Sequence, residues 1–208
     1  MIRFDSVSLS FGEKKILDSL SFHFEMGKKY ALMGESGIGK TTILGIIAGL
    51  VKQNSGTVKL NSDKISYVFQ EDRLFPWLTV IENVTLVSPL KKEDAKKKAF
   101  LILEGLGVSD AADMYPGELS GGMKQRVSIA RALMYEHDIL LLDEPFRALD
   151  EVTAKTVAEY VFTESKDRTV IFVTHDKNDT VYADYVIHTT GSPITSLSLE
   201  KSSKVTFE

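Results

Sequence analysis

Three short segments of this chain carry residue types whose chemistry belongs together. Gly34-Glu35-Ser36-Gly37-Ile38-Gly39-Lys40-Thr41 fits the pattern G-x-x-x-x-G-K-[ST]. Its glycines let the backbone turn tightly and aim several N–H groups into one concavity, which is how a loop cradles phosphate. Lys40 adds a mobile cation for the β and γ phosphates, and the Thr41 hydroxyl suits Mg²⁺. The second segment, Ile139-Leu140-Leu141-Leu142-Asp143-Glu144, reads as a buried strand ending in two carboxylates. One carboxylate, Asp143, can serve a metal shell, and the other, Glu144, can orient or deprotonate an attacking water. The third segment, Leu119-Ser120-Gly121-Gly122, offers a hydroxyl and exposed N–H groups just before a helical run through Ile129, Ala130 and Leu133. A helix start of that kind binds anions. It also matches an ordinary N-cap, and the acidic pair taken alone also matches a plain acidic turn.

Positioning these groups takes a mixed α/β architecture. Tyr30–Met33, Ile139–Leu142 and Val170–Val173 are continuous apolar runs, as strands covered on both faces require. Ligands of open α/β sheets sit beyond the carboxyl ends of such strands, where the phosphate loop and the acidic pair both fall. Ahead of them, Ile2, Phe4, Val7, Leu9 and Phe11 are spaced as in half-buried strands. Leu20, Phe22, Phe24 and Met26 alternate as an antiparallel sheet with one wet face does. The run Thr42–Ala48 after the loop is helical. Ala95, Ala99, Ile102, Leu103 and Leu106 recur at helical spacing, with Gly107 at the place of a C-terminal cap. From Gly191 the tail alternates weakly and is expected to form a short strand or a loose end.

Composition removes several function classes. The 208 residues include no cysteine, so disulfides, thiolate metal sites and cysteine nucleophiles are excluded. The net charge of −4 argues against a protein whose main partner is nucleic acid. Lys91, Lys92, Lys96, Lys97 and Lys98 fall largely off the apolar stripe of their helix and read as a solvated face. No apolar run is long enough to span a bilayer, and the first residues lack the apolar core of a signal peptide. Work at a membrane would therefore go through partners.

Leu119-Ser120-Gly121-Gly122-Met123-Lys124-Gln125-Arg126 resembles the LSGGQ-type signature of ABC ATPases, with Met123 and Lys124 at tolerant positions. The resemblance covers essentially the whole chain. It implies a phosphate-loop NTPase (RecA-like) core, an antiparallel β subdomain and an inserted α-helical subdomain, at about residues 72–133 of one ABC ATPase domain. It implies ATP and Mg²⁺ as ligands and two chains closing around two ATP molecules. In that arrangement Ser120, Gly121, Gly122 and Gln125 meet the nucleotide held by the second chain. Gln70 resembles the Q-loop glutamine that senses Mg²⁺ and the attacking water. Asp150, in Ala148-Leu149-Asp150, resembles the D-loop aspartate and also suits a helix cap. His175 resembles the switch histidine that bonds the γ-phosphate. Phe11 resembles the aromatic that stacks on adenine, with a core aromatic as the rival. The implied metal set is Thr41, Gln70 and Asp143. The catalytic set is Glu144, His175, Gln70 and Lys40, and Gly34 to Thr42 bind the phosphates.

Two segments resemble small-molecule importers in particular. Asp143-Glu144-Pro145-Phe146-Arg147-Ala148-Leu149-Asp150 is similar to DEPF-x-ALD, although Arg147 stands where a small residue is usual. Glu136-His137 likewise replace a common proline. Leu74-Phe75-Pro76-Trp77-Leu78-Thr79-Val80-Ile81-Glu82-Asn83-Val84 is similar to the segment of nitrate, sulfonate, taurine and pyrimidine-precursor importers that receives the membrane subunit. Trp77 fits that docking role and a core tryptophan equally. The expected partners are a second ATPase subunit, membrane-spanning permease subunits and, indirectly, a solute-binding protein, at the cytoplasmic face of the membrane. The alternative is an ABC ATPase of an exporting or mechanotransmitting complex, such as one for lipoprotein release or cell division. Long coiled-coil repair ATPases and two-domain translation factors are set aside, because the chain is short and has one phosphate loop.

Overall fold

The computed structural model describes residues 1–202. In chain order the elements are β1 (Ile2–Phe11), β2 (Lys14–Phe24), β3 (Lys29–Met33), α1 (Lys40–Ile47), β4 (Ser55–Leu60) and β5 (Ile65–Val68). They continue with α2 (Val80–Thr85), α3 (Lys92–Gly105), α4 (Gly121–Met134), β6 (Ile139–Asp143), α5 (Glu151–Glu164), β7 (Thr169–Val173), β8 (Tyr185–Thr190) and β9 (Ser196–Lys201). Short 3₁₀ turns lie at Ser109–Ala111, Pro116–Glu118 and Lys177–Tyr182.

Two sheets result. The first is antiparallel, in the order β2-β1-β4, and the second has the order β5-β6-β7-β3-β8-β9. Within the second, β5 to β8 pair in parallel and β9 closes the edge antiparallel. The wider spacing between Phe4 and Val7 has a structural cause. The register of β1 shifts there, and Ser6 adopts a φ of 50°. Such a bulge inserts one residue and so returns Val7 to the buried face. Leu20, Phe22 and Phe24 alternate on β2, but the strand stops before Met26, which is exposed. The chain has to leave one sheet for the other here. Gly27 donates its N–H to Thr169 Oγ1 on β7 at 2.8 Å.

The central strands are buried on both faces, and their side chains alternate between two cores. Leu32, Ile139, Leu141, Ile171, Val173 and Ile187 join α1 and the antiparallel sheet on one side. Ala31, Leu140, Leu142, Val170, Phe172 and Val186 join α2 to α5 on the other. Burial on both faces is why these strands read as continuous apolar runs rather than alternating ones.

Between β5 and β6 the chain forms α2, α3 and α4, which pack on one another. On α3 the residues Ala95, Ala99, Ile102 and Leu103, with Leu106 just past its end, face inward. Gly107, at φ 63°, ends the helix. Val108 N–H donates to Leu103 O and Gly107 N–H to Glu104 O, both at 2.9 Å. This is the paired-bond cap that a left-handed residue permits after a helix. At the far end β9 forms the weakly alternating edge strand, and residues 203–208 lie outside the described chain.

Candidate active site

Four neighbouring parallel strands, in the order β5-β6-β7-β3, end on the same edge of the central sheet. Val68 pairs with Leu142, Asp143 with Val173, and Leu32 with Val173. The segments that follow these strands therefore emerge side by side. They carry Gln70, Asp143 with Glu144, His175, and the phosphate loop. Parallel pairing thus gathers residues more than a hundred positions apart at the edge where such sheets bind ligands.

The loop from Gly34 to Gly39 is shaped by neighbours on both sides. Gly39 has a φ of 125°, and a Cβ there would sit 2.6 Å from Ile16 Cγ2 of β2. Gly34 has a φ of 153°, and its Cβ would meet Thr189 Oγ1 of β8 at 2.0 Å. Only glycine tolerates both the backbone angle and the approach. Gly37 (φ 72°), with Glu35, Ser36 and Ile38, completes the turn. Lys40 opens α1 and folds back across the loop, donating from Nζ to Gly34 O at 2.9 Å and Glu35 O at 2.7 Å. Burial pulls its ammonium below the usual lysine range, opposed by the charges of Glu144 and Asp143. No side chain caps the start of α1, so the N–H groups of its first turn, including those of Thr41 and Thr42, are available to an anion.

The acidic pair divides by environment. Asp143 is buried, and desolvation raises its carboxyl above the usual carboxylate range. The hydrogen-bonding hydroxyls of Thr41 and Tyr67 and the charge of Lys40 oppose that rise, while the charge of Glu144 adds to it. Glu144 follows with a left-handed backbone, at φ 49°. Its side chain meets nitrogens of three residues. His175 Nε2 lies 3.1 Å from Oε1. Gln70 Nε2 donates to Oε2 at 3.3 Å, and Arg147 donates to the same oxygen at 2.9 Å. A groove of about 1110 Å³, lined by Ser36, Glu144, Arg147 and His175, runs from here between α5 and the Lys177–Tyr182 turn.

Ser120 lies elsewhere. It caps α4 by accepting from Met123 N–H at 3.3 Å. Arg126 fixes this end of the helix by donating to Leu106 O at 3.2 Å and Gly107 O at 2.6 Å. Helix α4 packs on α2, α3, α5 and β5, whereas α1 packs on β4, β6 and β7. The two helix starts thus belong to different layers. Gly122 adjoins Ala148 and Leu149, where a Cβ would lie 3.2 Å from Ala148 O and from Leu149 Cδ2. Gln125, on α4, is 3% exposed, and its Nε2 has no hydrogen-bond partner among the described residues. Ser128 and Ile129, three and four residues on, share this buried face of α4.

Asp150 caps α5 by accepting from Thr153 N–H at 3.0 Å. Hydrogen bonds from Thr153 hold its carboxyl below the usual range. Phe11 ends β1 at the hairpin tip, opposite Lys14, and is 55% exposed, which removes the core-aromatic alternative. Its hairpin partner strand carries Ile16, the residue that presses on Gly39.

Sequence reading alone did not find four supports of this site: Tyr67 beside Asp143, Thr189 and Ile194 against the loop, and the Arg147 contact with Glu144. The first three are ordinary core or edge residues with no sequence signal. Arg147 did stand out, as a cation in an unusual place.

Known proteins share this fold. Residues 17–147 match the family model described as ABC transporter. This chain belongs to the ABC transporter family. It is 42% identical to the aliphatic sulfonates import ATP-binding protein SsuB of Bacillus subtilis, over 80% of this chain and 69% of that protein. It is 40% identical to SsuB 1 of Paracoccus denitrificans, over 84% and 73%. Among solved structures it resembles the ATP-binding cassette MJ0796 in a dimeric post-hydrolysis state bound to ADP and Pi. That match has a TM-score of 0.87 and 30% identity, over 97% of this chain and 98% of that one. As an ABC ATPase the chain binds and hydrolyses ATP.

The segment after Gln70 completes the picture of this ABC cassette. Trp77 is 70% exposed, which overturns the core alternative, and its ring lies 5.5 Å from that of Phe75. The turn bearing both is tied to a fully buried Asn83 on α2. No helix among the described residues is long and apolar enough to cross a membrane.

Proposed function

We propose that this chain is the ATP-hydrolysing subunit of a membrane importer and works as a pair of copies closing on two ATP molecules. The observation that carries the pairing is the separation of two anion sites, the phosphate loop with α1 and the Ser120 end of α4, into different layers of one chain. Neither alone surrounds a triphosphate, and two antiparallel copies would each complete the other's site. The dimeric state of MJ0796 supports the same reading.

The residues then take the following parts. The N–H groups from Gly34 to Thr42 and the Lys40 ammonium hold the phosphates, and Phe11 offers its exposed face to the base. Ser120, Gly121 and Gly122 of one copy bind the γ-phosphate held by the other. Glu144 takes a proton from the attacking water, with Gln70 and His175 fixing its carboxylate. Lys40 and His175 stabilise the charge on the transferring phosphoryl group. Asp150 keeps the turn before α5 in place beside Gly122. The Thr41 hydroxyl, the Asp143 carboxylate and the Gln70 amide oxygen form a hard oxygen set that suits Mg²⁺. With no cluster of three His, Cys, Asp or Glu side chains among the described residues, the set suits a metal shared with substrate phosphates. When bound, Mg²⁺ neutralises charge on the phosphate oxygens.

Docking to permease subunits through the Phe75-Pro76-Trp77 turn would place the chain peripherally at the cytoplasmic face, with a solute-binding protein serving the far side. The importer names of the relatives favour this over an exporting or mechanotransmitting complex. Selectivity would reside in those partners. The test is Glu144→Gln: ATP binding retained, turnover down by roughly 10²–10⁴-fold, and ATP-dependent dimers in light scattering. Wild-type phosphate release from this variant removes Glu144 from the base role.

A further inference from the structure

Glu144 Oε2 accepts from two donors at once, Gln70 Nε2 at 3.3 Å and the Arg147 guanidinium at 2.9 Å, while Oε1 faces His175 Nε2 at 3.1 Å. Gln70 and His175 reach Glu144 from the ends of β5 and β7. Arg147 reaches it from the same tight turn, three residues on, with its backbone N–H donating to Glu144 O at 3.3 Å. The two side chains differ sharply in exposure: 14% for Glu144 and 71% for Arg147. The cation is therefore held mainly by this carboxylate, and it occupies one of the two oxygens through which Glu144 could take a proton from water.

We propose that Arg147 is a positioning residue that restrains Glu144, competing with the attacking water for Oε2 and so limiting turnover. This inference rests on the base role proposed for Glu144. An exposed ion pair is weak and screened by salt. The restraint is accordingly partial: it tunes the rate without abolishing it. Lysine keeps the charge but not the planar fork, so it should retain only part of the effect.

The experiment compares steady-state ATP hydrolysis of wild type, Arg147→Ser, Arg147→Lys and Glu144→Gln across ionic strength. Arg147→Ser should raise kcat by about 1.4- to 5-fold, the range set by the strength of exposed pairs, with KM for ATP unchanged. Arg147→Lys should fall between it and wild type. The gap between Arg147→Ser and wild type should close at high salt. A thermal melt checks that both variants fold, as the exposure of Arg147 implies. An unchanged or lowered kcat in folded Arg147→Ser, or a raised kcat whose gain persists at high salt, overturns the restraint. If Glu144→Gln is inactive while Arg147→Ser equals wild type, only this inference fails. If Glu144→Gln turns over normally, the base assignment fails and this inference falls with it.

Discussion

Asn83→Ala should loosen the turn that presents Trp77, and its size can be worked from the bonds involved. The buried amide accepts from Phe75 N–H at 2.8 Å and donates to Phe75 O, Leu78 O and Thr79 O at 3.0–3.1 Å. Two of these acceptors keep another partner after truncation. Phe75 O still accepts from Leu78 N–H, and Thr79 O from Asn83 N–H. That leaves Phe75 N–H and Leu78 O. A buried polar group left without a partner costs about 1–3 kcal/mol. The turn is half exposed, and water that reaches it reduces the sum, so the expected loss is about 2–4 kcal/mol. For a chain of this size each kcal/mol lowers Tm by about 2–4 °C, giving a fall of about 5–15 °C. Trp77 is the only tryptophan in the sequence, so its emission and its quenching by acrylamide report on this turn alone. The variant should melt early and should show altered Trp77 quenching while still folded at low temperature. A stability loss under about 0.5 kcal/mol, within the range of a neutral surface change, together with unchanged quenching, would refute the view that Asn83 holds the turn.

Two further predictions concern neighbouring features. Trp77→Ala should cost under about 1 kcal/mol, far from the roughly 3–5 kcal/mol of a core aromatic, because the side chain is 70% exposed. In reconstituted membranes it should uncouple transport while sparing basal hydrolysis, and a large drop in Tm with normal coupling would count against docking. His137 is buried between Tyr135 O, 2.6 Å from Nδ1, and Arg168, 3.1 Å from Nε2. Burial lowers its pKa from 6.5 to about 4. The unfolded chain then binds a proton between those values that the folded chain does not. The stabilising contribution is complete above pH 6.5 and is lost as pH falls towards 4. Between pH 6.5 and 5 this amounts to about 2 kcal/mol, so wild type should lose about that much more stability than His137→Asn in urea titrations. Equal losses in the two proteins would show that His137 is not the group responsible.

The sequence by itself determined the phosphate loop, the acidic strand end and the central strands, because each is a local pattern with a local cause. A G-x-x-x-x-G-K-T turn needs its glycines wherever it occurs, and a strand covered on both faces must be apolar throughout. It also determined α3 and its Gly107 cap, since helical period and a left-handed stop are written within a dozen residues. What it left open were questions about two places in the chain at once. Phe11 and Trp77 each fitted a core and a surface, and only packing put both outside. Gln125 stands within the signature segment, and its burial in α4 shows only in the fold. Tyr67, Thr189 and Ile194 support the site from distant parts of the chain and carry no mark of it. Arg147 was visible as an oddity, but its bond to Glu144 depends on the left-handed backbone of Glu144 and on the turn that follows. Local preference is set by a residue and its neighbours along the chain. Contacts across the sheet are set by strand order and register, and these are decided only when the whole core forms.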